Sequence, residues 1–172
     1  IVRTQVLFSD SAKDAGFRDT VGTAVAIPYY VRPNTYSLSV VVTDTCGSVY
    51  RFRDLRFTVL YPSWVVDQHW NDGLAILSDD YNGGYHFTDV RWYRNGELLP
   101  EARQMHVYVP HTVYTESEDT VEVYYQARLT RADDGYAGMT CPMYPSPVDD
   151  SVSVTEPFVS VSPTLVTTSD PW

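Results

Sequence analysis

The chain is short of several things, and each shortage narrows what it can be. It has two cysteines in 172 residues, Cys46 and Cys141. That is too few for a disulfide-built scaffold. They stand far apart, so a bridge requires the two halves of the chain to fold back on each other; two isolated thiols are the other reading. No run approaches the roughly 18–20 apolar residues needed to span a bilayer as a helix. Base is scarce: 12 Lys and Arg face 22 Asp and Glu, for a net charge of −10. A surface of that sign repels phosphate, and no Lys/Arg run offsets it, so nucleic acid binding is disfavoured. There is no signal-peptide pattern. The chain opens at Ile1 without a Met, and the expectation is a processed product or a fragment of something longer.

What is present points to strands. Hydrophobic residues make up 44% and charged residues 20%, a globular rather than disordered balance. Tyrosine alone contributes 14 residues, and Tyr, Val and Thr suit a pleated, half-buried surface. Alternation with period two is the dominant signal. Over residues 36–43, Tyr36, Leu38, Val40 and Val42 share one face. Over 54–61, Leu55, Phe57, Val59 and Tyr61 do the same. Over 121–130, Val121, Val123, Tyr125, Ala127 and Leu129 oppose Glu122, Tyr124, Gln126, Arg128 and Thr130. Such patterns put one face in a core and one in water. Further strands are expected over 3–8, 23–31, 85–94, 105–109, 136–141 and 151–161. Residues 64–77 read as two short strands interrupted by Gly73.

Turn chemistry falls between these runs. Asn95-Gly96 separates two of them, and this pair favours a type I′ hairpin because both central residues need positive φ. Asp133-Asp134-Gly135 closes another. Pro62 lacks a ladder donor and marks a boundary. The expected units are therefore 1–61 and 62–172. The first is short for a complete sandwich of roughly 100 residues, so its opening strands are expected to be missing.

Several segments resemble known modules. Val90-Arg91-Trp92-Tyr93-Arg94-Asn95-Gly96 is similar to strand C and the following turn of an immunoglobulin-like domain, where a Trp packs between the sheets. Asp134-Gly135-Tyr136 is similar to the signature at the E–F corner, although Cys141 lies five residues beyond the Tyr instead of two. No Cys precedes Trp92 on the expected partner strand. A longer order of residues runs from Tyr61-Pro62-Ser63-Trp64 through Gln68-His69-Trp70-Asn71-Asp72-Gly73 and Asp80-Tyr81-Asn82-Gly83-Gly84-Tyr85 to Asp134-Gly135. It resembles repeats of large exported surface proteins of Bacteroidetes bacteria, which combine immunoglobulin-like and PKD-like modules. The resemblance implies an all-β fold of tandem immunoglobulin-like β-sandwiches. The first would be PKD-like or immunoglobulin-like, the second immunoglobulin-like with a C-terminal linker. It also implies a secreted or cell-surface location and a stalk or adhesin role.

No catalytic constellation accompanies these strands. His69, His86, His106 and His111 form no metal-binding motif. No Gly-x-Ser-x-Gly elbow is present, and Cys46 in its turn reads as an incidental thiol. Asp79-Asp80, Asp133-Asp134 and Asp149-Asp150 are neighbours in turns, where carboxylates more often bond backbone than face each other across a cleft. Asp79, Asp80 and Asn82 are the best calcium candidates, without EF-hand spacing. Tyr81, Tyr85, Tyr93 and Tyr124 are expected on loops or wet faces, where rings stack on sugars. Trp92, with Trp64 or Trp70 or both, is expected to fill the core and the junction. The expectation is a non-enzymatic structural or adhesive module without catalytic residues, metal or cofactor. Its partners would be an unknown protein or glycan and the neighbouring domains of its parent. The alternative is a carbohydrate-binding module.

Overall fold

A computed structural model of the chain describes residues 3–110 and 123–147. The fold is all-β; among the described residues it is made of antiparallel sheets with one short α-helix. The expected strand over 151–161 and the first residues of 121–130 lie outside the described residues.

The first sheet contains β1 (Arg3–Phe8), β2 (Thr20–Val21), β3 (Asn34–Thr43) and β4 (Val49–Val59), in the order β2-β1-β3-β4. Opposed residues share a face. The pairs Val6↔Val40, Phe8↔Leu38, Leu38↔Leu55 and Tyr36↔Phe57 thus gather apolar groups on one side. Helix α1 (Asp10–Asp14) lies against part of that side. Ser9 caps it, accepting from the Ala12 amide at 3.4 Å, and buries Ala12 in the core. Phe17 stacks on Phe8 with ring centroids 5.0 Å apart and meets Phe57 edge-on at 5.2 Å. Among the described residues this sheet is covered by a helix and a loop ring, not by a second sheet.

Two expectations fail here. No strand forms over 23–31; the run is an extended, largely exposed loop. Gly22, at φ 110°, turns the chain out of the β1–β2 ladder, and Pro28 has no amide to donate. β4 also starts earlier than its pattern suggested, at Val49. A β-bulge explains this. Leu38 pairs with Leu55 and Val40 with Phe52, so Arg53 and Asp54 together face Ser39. Asp54 takes the left-handed conformation, φ 55°, that such a kink requires.

The remainder builds a larger, sandwich-like unit. A 3-10 turn (Ser63–Val65) leads into β5 (Val66–His69), β6 (Gly73–Ile76), β7 (Phe87–Arg94), β8 (Glu97–Leu98), β9 (His106–Tyr108), β10 (Tyr125–Arg131) and β11 (Ala137–Met139). Two sheets result, β5-β6-β9 and β11-β10-β7-β8. One core draws on both: Val66, Leu74, Ile76 and Val107 from the first, Val90, Trp92, Ala127 and Leu129 from the second. Trp92 is fully buried, and its indole Nε1 donates to the Gln104 carbonyl at 2.9 Å. The Asn95-Gly96 hairpin joins β7 and β8, with φ of 50° and 82° at its two residues, as a type I′ turn demands. The two short strands expected over 64–77 are β5 and β6. Tyr61 packs with this second core.

Candidate functional site

The most structured polar site lies where the two cores meet. Tyr61 enters it as backbone: its amide donates to Met139 O at 2.9 Å, and its carbonyl accepts from the Cys141 amide at 2.7 Å. These bonds run the chain parallel to the segment after β11. Arg131 enters it as a side chain. It follows Tyr125, Ala127 and Leu129 in the inward phase of β10 and is only 1% exposed.

A guanidinium in that position needs full pairing, because an unpaired buried charge is costly. Arg131 draws a partner for each of its three nitrogens, from both units. Nε and Nη2 form a fork on Asp134, 3.0 Å to Oδ1 and 2.6 Å to Oδ2. Nη1 donates to the Pro33 carbonyl at 2.9 Å, at the mouth of β3. The rings of Tyr136 and Tyr85 flank the guanidinium, 4.9 and 5.9 Å from its carbon. Arg32 of the first unit bonds Asp133 and lies 3.5 Å from Asp134. Tyr36 donates to the Arg32 carbonyl at 2.7 Å, and the Tyr30 and Tyr85 hydroxyls bond at 2.6 Å.

The electrostatics follow. Burial works against the charge on Arg131, but the bonds to Asp134 and the surrounding charges outweigh it and raise its pKa. The Arg131 hydrogen bonds pull Asp134 down to about 2. Burial pushes the Tyr61 phenol up to about 12, and burial plus the Tyr30 bond also raises Tyr85. The Asp134 carboxylate and the Arg131 guanidinium are both held in their charged forms.

A second loop supports the seam. Asn82 is fully buried, donating to Leu77 O at 3.0 Å and Tyr85 O at 2.9 Å and accepting from the Tyr85 amide at 2.8 Å. It fixes the turn that presents Tyr85. Of the calcium candidates, Asn82 is committed to backbone and Asp79 Oδ2 lies 2.7 Å from His86 Nδ1. Among the described residues, no three His, Cys, Asp or Glu side chains cluster in a way that could hold a metal ion.

The aromatic expectations divide. Tyr81 is exposed, but Tyr85 is buried at the seam instead of lying on a wet face, and Tyr93 and Tyr124 are half-buried. Trp70 does not fill the core; it is 75% exposed on a residue with φ 56°. Trp64 is 48% exposed and lines a groove of about 260 Å³ beside the seam, with Tyr29, Tyr30 and Pro62. Gly83 sits against it: a Cβ there would stand 3.2 Å from the Trp64 ring.

Cys46 and Cys141 are both free, Cys46 in an exposed turn. His69 and His106 are exposed, and His111 lies outside the described residues. No described helix is long and apolar enough to cross a membrane.

Comparison with protein-family models, curated proteins and solved structures finds no significant match to the chain.

Arg131 was the residue that pattern reading overlooked. Its signal was available: a cation in phase with three inward apolar residues, followed by two aspartates.

Proposed function

We propose that the chain is a non-catalytic structural or adhesive module of an exported, multidomain cell-surface protein. The seam carries this reading. Its best-built polar cluster joins two units through a carboxylate and a guanidinium held in their charged forms. A guanidinium buried between two cores, with every bond directed at a neighbour, stiffens a junction.

Tandem immunoglobulin-like organisation is part of the proposal. The order β5-β6-β9 over β11-β10-β7-β8, with Tyr61 parallel to the segment after β11, fits strands A-B-E over G-F-C-C′. Trp92 then holds the strand-C position. Asp134-Gly135 falls between strands F and G, not at the E–F corner, so that part of the resemblance has a different structural origin. The first unit is the incomplete member, its sheet lacking a facing partner among the described residues.

Limited proteolysis tests the stiff junction. Residues 59–64 of the native chain should resist cleavage and become labile in Arg131→Ala. A native junction cut as fast as an exposed loop would sink the idea.

The groove of Tyr29, Tyr30 and Trp64 favours a second reading, a carbohydrate-binding module. A glycan array should then give a signal that Trp64→Ala abolishes. An array with no signal removes it.

A further inference from the structure

The outer strand of the first sheet is its least finished part. β4 runs 11 residues and, among the described residues, pairs on one side only, with β3. Every residue from Val49 to Arg56 is exposed. The free edge presents backbone N–H and C=O groups ready to pair with another chain.

Its side chains sort by face. Tyr50, Phe52, Leu55 and Phe57 lie on the apolar side, opposite Val42, Val40, Leu38 and Tyr36. Tyr50 and Phe52 are each 54% exposed and Leu55 43%. This side continues into a groove of about 510 Å³ lined by Phe8, Phe17, Val25, Ile27, Leu38 and Phe57 among others. The other face carries Arg51 opposite Val41, Arg56 opposite Ser37, and Arg53 at the bulge. Among the described residues none of these arginines forms an ion pair. In a chain of net charge −10, three arginines against a single aspartate, Asp54, leave this strand locally positive.

Edge-to-edge pairing with a second copy, centred on the bulge, would set Arg51 against Arg56 and Arg53 against Asp54, so like-charge repulsion offsets opposite-charge attraction and the strand's net positive charge gives a second copy no advantage. We propose that β4 is a docking edge for an extended acidic segment of a partner protein. The segment adds as a further strand. Its carboxylates lie beside Arg51, Arg53 and Arg56, and its alternate apolar side chains beside Tyr50, Phe52 and Leu55. The backbone ladder supplies affinity and the period-two side chains supply specificity. The arginines and the bulge guard the edge against indiscriminate pairing and select the charge of what is admitted. This edge gives the interaction reading above a partner of stated chemistry, and rests on that reading only in treating the chain as a binding module. Substitutions on β4 do not touch the Arg131 seam, so the two tests fail separately.

The experiment is fluorescence anisotropy of the full chain with a labelled ten-residue peptide that alternates valine and glutamate. Saturable binding that weakens as salt rises is expected. Arg51→Glu with Arg56→Glu, both at exposed sites, should weaken it at least about tenfold. A peptide of the same composition with its valines and glutamates in separate blocks should bind at least about tenfold more weakly, because it cannot match both faces of a strand. So should the alternating peptide N-methylated at every second residue, which loses its ladder donors. No binding, equal binding by the block or methylated peptide, or a chain dimer that occupies β4 and excludes the peptide would each overturn the proposal.

Discussion

Arg131 donates from its guanidinium to the carbonyl of Pro33 at 2.9 Å, tying the end of β10 to the start of β3 across 98 residues of chain. The same group forks onto Asp134 in its own unit. One side chain therefore satisfies a turn in the second unit and an orphan carbonyl in the first.

Arg131→Ala should cost about 2–4 kcal/mol in urea unfolding, below the full value for a deeply buried pair because Asp134 is partly exposed. Arg131→Lys should fall between, since it keeps the charge but loses the fork. A loss under about 1 kcal/mol for the alanine variant would mean that the clamp is incidental.

Asp134 sets an acid limit. Its folded pKa is lowered to about 2 from 3.8, chiefly by the Arg131 hydrogen bonds. A carboxyl with a depressed folded pKa stabilises fully above its unfolded value and loses that contribution as pH falls through the folded one. Stability should therefore drop between about pH 4 and pH 2. Asp19 and Asp44, also lowered by their hydrogen bonds, act in the same direction. Asp134→Asn should be less stable at neutral pH, yet lose less on acidification than the native chain. Equal losses in denaturation curves taken across that window would contradict the assignment.

Tyr61 carries a buried hydroxyl with no hydrogen-bond partner among the described residues. Tyr61→Phe removes an unsatisfied group and keeps the ring contacts with Tyr85 and Phe87. Thermal unfolding should show no loss, or a gain of up to about 1 kcal/mol. A loss above that size would show that the hydroxyl is bonded in solution.

Two tryptophans of the larger unit, Trp92 and Trp70, should behave oppositely. Trp92→Ala empties the centre of the core and should cost about 3–5 kcal/mol. Trp70→Ala removes an exposed ring and should change stability by less than about 0.5 kcal/mol. Chemical denaturation of both variants decides it, and similar costs would overturn the placement of Trp70.

The strand content was legible because the alternation is local. β3 and β10 show it over six residues or more, and the Asn95-Gly96 turn names its own conformation. β4 was half hidden because the bulge inserts a residue. Its apolar series runs Tyr50, Phe52, then Leu55, Phe57, and a strict period-two reading loses the first pair. Residues 23–31 misled for the opposite reason: their apolar residues are loop residues beside a groove, and Pro28 outweighs the propensity of its neighbours. Sequence alone left Trp64 and Trp70 as alternatives for the core and junction, because indole content says nothing about backbone geometry; Trp70, at φ 56°, is the more exposed of the two. The seam itself was not readable. Arg131 and Pro33 meet only when both units have folded, and no local pattern encodes that contact.

Amide nitrogen relaxation by NMR addresses the junction without a ligand. If the seam holds, amides of β3 and β10 fit one common rotational diffusion tensor, and Arg131→Ala splits them into two. Two separate correlation times in the native chain would mean that the guanidinium does not join the cores.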